Sequence, residues 1–411
     1  MKVSYITLLS ATTALFAPLA LNAQQADAAP AGEAAEEQPL LTVPVDGNVT
    51  RKEGEGIDVK INDKATISVS GFVQAQYYWS DSAKNSGDAD NGFAIRRASI
   101  SAKGKIGDNW SAEVGFEIDS DDESTTLDDA FVDKAIISYT CDYGKLTAGY
   151  QKVSFILEEY SSSKTALTIE HGIASRYFEK TNGFSSIVSR HGGVWWDGKI
   201  KFDDGKNAIK YTVAVTNQYS EDMNSEENSG VAFFGNVSYE LKVEDINIEL
   251  GLNAAYNPGN DDRGTTGEFE GTRAPHGPVY GFEPYAKITC GNLSVLADVI
   301  YADGDEDAGI EDSAWGANVT VAYRIDDLEP VFRFSYIDVG DNENLGPVTL
   351  KNMPEGDDVG DQDSAFGIYV GANYYVNKSI KLSAGYEYTS FDGGKNDVDA
   401  NSFRVQLQAV F

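Results

Sequence analysis

The chain has 411 residues, of which 41% are hydrophobic and 11% aromatic, with a mean hydropathy of −0.33 and a formal net charge of −33. This acid excess excludes nucleic acid as a partner, because binding to phosphate backbones needs a surplus of Lys and Arg. No stretch after residue 25 has 18 or more apolar residues, which excludes a transmembrane helix there. Membrane-spanning β-strands are not excluded, because their side chains alternate between apolar and polar.

The N-terminal residues have the pattern of a secretory signal peptide. Residues 1–23 carry Lys2 as their only charge, an apolar run over residues 5–21 and a small residue, Ala23, at the expected cleavage site. The segment 24–63 begins with a stretch rich in Ala, Gln and Glu, which predicts a disordered linker followed by a periplasmic lead-in. The chain is therefore predicted to be exported.

From residue 64 to residue 411 the chain repeats one unit: an alternating strand, a long polar loop, a second alternating strand and a tight turn. In the last strand Phe403, Val405 and Leu407 share one face, whereas Arg404 and Gln406 share the other. The pattern predicts an all-β chain of about 16 strands. The predicted strand centres are Gly71, Ser99, Gly115, Ala135, Ala148, Val194, Val213, Asn236, Leu250, Tyr285, Ala297, Val319, Phe334, Gly371, Ala384 and Leu407.

The two faces of these strands predict a transmembrane antiparallel β-barrel. Charged residues occur along the whole polar face, too many for a packed core, and aromatic residues cluster near strand ends, as at a membrane interface. Short turns then face the periplasm and long loops face outside. A barrel this wide leaves an aqueous channel. We therefore expect a porin of the Gram-negative outer membrane, in contact with lipid and lipopolysaccharide and passing small solutes.

The longest region without alternation is 151–189, the third outward connection. Wide barrels narrow their lumen by folding a loop inward, so this region is predicted to be a constriction loop that places charges such as Arg176 at the narrowest point. The alternative is an external loop that covers the pore or packs on a neighbouring subunit.

Several stretches resemble the phosphate-selective porin O/P family. They are residues 92–98 (GFAIRRA), 127–132 (LDDAFV) and the block from 146–152 (LTAGYQK) through Glu158, Glu159 and 161–163 (SSS). The resemblance is good over about residues 65–200 and only architectural beyond. It implies a homotrimer of barrels of about 16 strands whose basic lumen residues pass small anions such as phosphate.

The face assignment gives the lumen charges of both signs. The candidate pore-lining residues are Arg97, Lys134, Arg176, Lys199, Lys201, Lys210, Arg324, Arg333, Lys381, Arg404, Glu113 and Glu117. The same faces add Lys145, Lys287, Asp197, Glu240, Glu249, Glu283, Asp298 and Glu387. The basic excess is slight, and acidic loops at the mouth repel anions. We therefore expect weak selectivity rather than a dedicated phosphate channel.

Two other functions are less favoured. An outer-membrane enzyme would need a nucleophile and base, but Ser186 and Ser189 near His191 lack a nucleophile-elbow motif. An adhesin or receptor could use the acidic loops 304–312 and 355–363 to bind divalent cations, but these loops lack calcium-loop spacing. No enzyme activity, cofactor or metal site is expected.

The two cysteines do not suggest a bridge. Cys141 and Cys290 lie in no metal-spaced cluster and fall six predicted strands apart at short turns. A disulfide across that width is not expected on geometry.

Overall fold

The computed structural model describes residues 49–52, 54, 56–82, 90–119, 130–181, 183–218, 230–259, 277–308, 310–342, 345, 362–393 and 398–411. All of them belong to the unit Asp46–Phe411. The predicted signal peptide 1–23, the linker residues 24–48 and His276 lie outside the described residues, as do residues 127–129 of one family-like stretch.

The described chain forms eighteen strands. They are β1 (Val49–Lys52), β2 (Gly56–Asn62), β3 (Ala65–Ser82), β4 (Asp90–Ile106), β5 (Trp110–Asp119), β6 (Ala130–Cys141), β7 (Gly144–Lys152), β8 (Arg190–Phe202), β9 (Asn207–Asn217), β10 (Val231–Val243), β11 (Ile246–Asn257), β12 (Val279–Cys290), β13 (Leu293–Gly304), β14 (Ala314–Tyr323), β15 (Leu328–Asp338), β16 (Ser364–Tyr375), β17 (Ile380–Asp392) and β18 (Val398–Val410). Every predicted strand centre falls within one of the strands β3 to β18, so the strand prediction is confirmed.

Strands β3 to β18 form a closed antiparallel barrel of 16 strands. Each strand pairs with the next, and β18 returns to β3 with Phe403 opposite Trp79 and Val410 opposite Phe72. Two backbone hydrogen bonds complete the seam, since Phe411 N donates to Gly71 O at 2.9 Å and Gly71 N donates to Phe411 O at 2.7 Å. An even strand number brings both ends of the barrel to the short-turn side. The predicted fold class is confirmed.

Gly71 makes room for the last side chain. A Cβ built at Gly71 would lie 2.8 Å from Cζ of Phe411, so the terminal ring packs directly on the backbone of β3. The alternating outward row of β18 therefore ends against β3 at the barrel seam.

Strands β1 and β2 were not predicted. They form a hairpin, and β2 pairs with the first part of β3, with Ile57 opposite Val69. From Phe72 onward, β18 is the partner along the same edge of β3. This stretch was predicted to be a periplasmic lead-in. A seven-residue alternation is a weak signal, and its partner is available only because β3, with 18 residues, extends beyond the end of β18.

The barrel wall is apolar outside and polar inside. Outward side chains such as Leu250 and Val319 are 53% and 39% exposed, whereas their inward neighbours are polar. Aromatic pairs lie near both ends of the strands: Trp110 and Tyr139 have ring centroids 4.9 Å apart at the short-turn end, and Trp315 and Tyr336 are 5.1 Å apart at the long-loop end. Lipid leaves backbone groups no partner, and a closed barrel satisfies them all internally.

Two short helices lie between β7 and β8: α1 (Leu157–Tyr160) and α2 (Ile173–Lys180). In the described part of the chain, no helix is long and apolar enough to cross a membrane. Cys141 and Cys290 end β6 and β12 and are free thiols.

Candidate functional site: the lumen and its inner segment

The connection 153–189, which we call the inner segment, lies inside the barrel. Lys381 Nζ of β17 donates to Ala166 O at 2.9 Å, and Leu157 N donates to Glu283 of β12 at 2.6 Å. Further hydrogen bonds of this kind join Gln74 to Ser163, Asn373 to Leu167 and Gln408 to Lys164. Because these wall side chains belong to strands on different sides of the barrel, the inner segment reaches across its interior.

Apolar packing holds both ends of the inner segment against the wall. Tyr177, Phe178 and Phe184 are fully buried, with ring centroids 5.4 to 5.9 Å apart. Phe155 and Ile187 belong to the same cluster, which includes inward-facing residues of the wall. Burial of each such side chain stabilises by about 1.5–3 kcal/mol. The inner segment is therefore a packed part of the barrel.

Glycines on the inner face of the wall provide the space for this packing. A Cβ at Gly281 of β12 would lie 2.3 Å from Cζ of Phe155, and one at Gly316 of β14 would lie 2.7 Å from Cβ of Ala174. Lumen-facing glycines on strands of the same side of the barrel are thus a sequence signal for an inward-folded segment, because a water-filled lumen would not require them.

Glu170 of the inner segment binds three arginines of the wall. Its carboxylate accepts two hydrogen bonds from Arg96, from Nε at 2.7 Å and from Nη2 at 2.9 Å. Arg97 and Arg404 approach to 3.7 and 3.6 Å. Burial raises the pKa of Glu170, but the charges of Arg96, Arg97 and Arg404 and the hydrogen bond from Arg96 together outweigh it and hold this pKa well below its ordinary value. Glu170 therefore stays ionised.

A β-bulge explains how adjacent arginines reach the same carboxylate. Gln74 pairs with Arg97 and Ala75 pairs with Ile95, so that Arg96 is the extra residue of β4. Both Arg96 and Arg97 consequently face the lumen.

Arg333 of β15 is the second point of attachment. Its guanidinium, 1% exposed, donates to Glu170 O at 2.6 Å, to Thr168 Oγ1 at 3.0 Å and to Glu387 Oε1 at 3.0 Å. It also donates to Glu158 Oε1 at 3.3 Å. One planar donor group therefore links two strands of the wall to two parts of the inner segment.

Glu158 also fixes the start of α2. Its Oε2 accepts from Gly172 N at 2.8 Å and from Ser175 Oγ at 2.7 Å, and so satisfies donors that a helix N-terminus leaves open. Burial raises the pKa of Glu158, but the charges of Arg333 and His171 and the hydrogen bonds from Ser175 and Gly172 together outweigh this effect, so the pKa is lowered. Arg176 of α2 adds a bond to Glu387 at 3.3 Å.

A cavity of about 860 Å³ remains between the inner segment and the wall, and extends to the β6–β7 turn. Among the described residues that line it, seven are lysines and six are carboxylates. They are Lys134, Lys145, Lys152, Lys164, Lys199, Lys210, Lys287, Glu113, Glu117, Asp133, Asp142, Asp197 and Glu249. This wall has charges of both signs in nearly equal number.

Many of these cavity charges pair with opposite charges on the adjacent strand or on the strand after it. Lys134 lies 3.2 Å from Glu113, and Lys210 lies 2.6 Å from Glu249 and 3.0 Å from Glu240. Lys145 is 3.2 Å from Asp197, and Lys199 contacts Glu240. Paired charges produce short-range dipoles rather than a field of one sign.

The structure divides the predicted pore-lining residues into three groups. Arg97, Arg176, Arg333, Lys381 and Arg404 are buried where the inner segment meets the wall. Glu113, Glu117, Lys134, Lys199 and Lys210 line the open cavity. Lys201 lies exposed at the end of β8, and Arg324 lies at the short-turn rim, where its guanidinium is 3.6 Å from the ring centroid of Tyr375.

The face assignment missed residues at two bulges. Arg96 is one of them, and Asp133 is the other: Gly115 pairs with Lys134 and Phe116 pairs with Val132, so Asp133 is the extra residue of β6. Asp133 accepts from Arg190 Nη2 at 2.6 Å. Two adjacent charged residues in an otherwise alternating membrane strand were the available signal, because only a bulge lets both face the lumen.

A family model described as phosphate-selective porin O and P matches residues 67–411. The chain belongs to this porin family. The resemblance inferred from residues 92–98 and 146–163 is thereby confirmed, and this porin is a channel of the outer membrane. Among curated proteins, no sequence matches the chain significantly.

Solved structures share the porin fold at low sequence identity. A trimer form of OmpT from Vibrio cholerae has a TM-score of 0.52 at 14% identity, covering 85% of this porin and 100% of that chain. The outer-membrane channel DcaP of Acinetobacter baumannii has a TM-score of 0.56 at 13% identity, covering 85% and 98%. OmpF of Salmonella typhi has a TM-score of 0.56 at 14% identity, covering 86% and 100%.

Proposed function

We propose that this porin is a diffusion channel for small polar solutes with weak charge selectivity, rather than a dedicated phosphate channel. The observation that carries the proposal is the division of charge in the lumen. The lysines and carboxylates that line the open cavity are nearly equal in number and largely paired. The arginines suited to phosphate are buried beside carboxylates of the inner segment and of the wall.

The same proposal gives the inner segment the role of constriction. The contacts across the lumen support this role, because they leave the permeant only the space beside the segment. No catalytic activity is proposed. His191, the histidine considered for an enzyme, is buried, with its ring nitrogens 3.0 Å from Asn217 O and 3.2 Å from Val188 O. His191 is therefore not positioned as a general base.

The assembly is proposed to be a homotrimer in outer-membrane lipid, with its loops against lipopolysaccharide, after cleavage of residues 1–23. The fold shared with a trimer form of OmpT supports the trimer. The apolar, exposed outer face of the barrel supports the lipid contact.

The test is planar-bilayer recording of the refolded porin across a KCl gradient. We expect a reversal potential near zero, and a chloride conductance that millimolar phosphate does not block. A strongly anion-selective reversal potential together with saturable block by phosphate would overturn the proposal. That result would support the phosphate alternative, which the cluster of Arg96, Arg97 and Arg404 around Glu170 favours.

A matched control keeps the measurement interpretable. The Glu244→Gln variant removes one exposed carboxylate in the short β10–β11 turn, away from the cavity. We expect its reversal potential to equal that of the wild type. A large shift in this variant would show that the distant acidic surface, rather than the lumen, sets selectivity, which contradicts the proposal.

A further inference from the structure

Three side chains of the inner segment converge on one point. His171 Nδ1 lies 2.8 Å from Glu179 Oε1 and 4.0 Å from Glu159 Oε2, and one ligand atom of each residue lies within 4.8 Å of the others. The three side chains are mostly buried, with exposed fractions of 19%, 12% and 14% for His171, Glu179 and Glu159. Neither the charge selectivity nor the attachment of the inner segment explains this cluster.

We propose that Glu159, His171 and Glu179 form a binding site for one divalent transition-metal ion of the Zn²⁺ class. Imidazole nitrogen with carboxylate oxygens is a donor set that such ions take. Bonds of about 2.0–2.2 Å in a tetrahedron put neighbouring ligand atoms about 3.4 Å apart. The two separations from His171, 2.8 and 4.0 Å, lie on either side of that value, and all three ligand atoms lie within 4.8 Å of one another.

The backbone around the three ligands is already fixed. Glu158, next to Glu159, binds the start of α2 through Gly172 N and Ser175 Oγ. The carbonyl oxygen of His171 accepts from Arg333 Nη2 at 3.3 Å. The three ligands therefore meet because α1, the stretch before α2 and the last turn of α2 are held together without a metal, which lowers the cost of ordering the site.

The contacts that the three ligands already make, and their donor atoms, determine which cations the site prefers. Glu159 also accepts a charged contact from Lys152 Nζ at 3.1 Å, and the ion has to replace the His171–Glu179 hydrogen bond. Only one oxygen of Glu159 is needed, so the Lys152 contact can remain. Hard cations such as Ca²⁺ and Mg²⁺ take six or more oxygen ligands and gain little from imidazole. The site is therefore specific for transition metals over Ca²⁺.

Isothermal titration of Zn²⁺ into the detergent-solubilised full barrel, purified without a polyhistidine tag, tests the site. We expect one ion per chain, with affinity lost in His171→Gln and reduced at least tenfold in Glu179→Gln and Glu159→Gln. The matched control is Glu244→Gln, which removes an exposed carboxylate of the β10–β11 turn and should bind Zn²⁺ as the wild type does. Unchanged Zn²⁺ binding in His171→Gln, or equal binding of Ca²⁺ and Zn²⁺ by the wild type, would overturn the proposal.

A spectroscopic measurement covers the case in which the His171 variant fails to fold. Electron paramagnetic resonance of Cu²⁺ bound to the wild-type barrel should show hyperfine coupling to one imidazole nitrogen. A signal from oxygen ligands alone would contradict the assignment. Neither measurement depends on ion conduction, so a barrel that binds Zn²⁺ but does not conduct would refute the proposed channel properties and leave the metal site standing.

Discussion

The two sides of the lumen use charge in different ways. On the covered side, where the inner segment meets the wall, Arg333 and Arg404 are 1% and 3% exposed and lie against carboxylates distant in sequence. On the open side, Lys210 and Lys134 have side chains 34% and 35% exposed and pair with Glu240 and Glu113, each on the adjacent strand. The planar guanidinium can satisfy several acceptors in a dry site, whereas a flexible ammonium suits a wet one.

This difference predicts where a substitution alters structure and where it alters only the field. Removing one partner of a buried ion pair leaves an uncompensated charge and costs about 3–5 kcal/mol. A solvated pair contributes about 0–1 kcal/mol. Substitutions on the covered side should therefore loosen the inner segment or leave its buried charges uncompensated, whereas those on the open side should change ion selection alone.

The largest effect is expected from Arg333→Met. Loss of the guanidinium leaves Glu387 and Glu158 without this donor and should weaken the attachment of the inner segment by about 3–5 kcal/mol. Single-channel recording should show a larger and noisier conductance, and trypsin should cleave at Lys164 or Lys180. Arg324→Met, the same change at the rim, should leave conductance and cleavage unchanged. Wild-type behaviour of Arg333→Met would show that apolar packing alone holds the segment.

A second prediction concerns Glu170→Gln. Without this carboxylate, Arg96, Arg97 and Arg404 retain their charge beside the lumen, so the reversal potential should shift toward anion selectivity. The shift should exceed that of any single lysine replacement on the open side. If the reversal potential stays at the wild-type value, the three arginines do not face the permeation path.

The pH dependence of the conductance tests the attachment on the covered side. The pKa of Glu170 in the folded chain is lowered well below the ordinary value of 4.5, so its stabilising contribution is fully present above pH 4.5. That contribution is lost only as the pH falls through the lowered pKa. Conductance steps should therefore keep their size between pH 7 and pH 4.5 and become unstable only at lower pH. Loss of defined steps already near pH 6 would contradict this expectation.

The smallest effect is expected from Lys210→Met on the open side. This change removes one of the paired cavity charges and should move the reversal potential slightly toward cations, with no measurable change in stability. Lys381→Met is the matched change on the covered side, where Nζ donates to Ala166 O. It should loosen the inner segment with little effect on selectivity. If the two variants behaved alike, the division of the lumen into two sides would be wrong.

The sequence by itself determined the number of strands in the closed barrel and the position of each of their centres. These features are local, because a period of two places alternate side chains on opposite faces whatever the chain does elsewhere. The same period led to the expectation that Lys210 and Arg333 face the lumen; Lys210 lines the cavity and Arg333 is buried against the inner segment. Arg96 and Asp133 were not part of that expectation, and a bulge interrupts the alternation at each of them.

Only the tertiary structure decided how these charges are used. The bond between Arg96 and Glu170 joins residues 74 positions apart, and the bond between Arg333 and Glu158 joins residues 175 positions apart. Such pairs depend on where the closed barrel places its strands and how deeply the inner segment enters it. Because the barrel closes, one edge of β3 pairs first with β2 and then with β18, and the ring of Phe411 packs on Gly71. Distances across a barrel follow from its closure, which a local period of two does not specify.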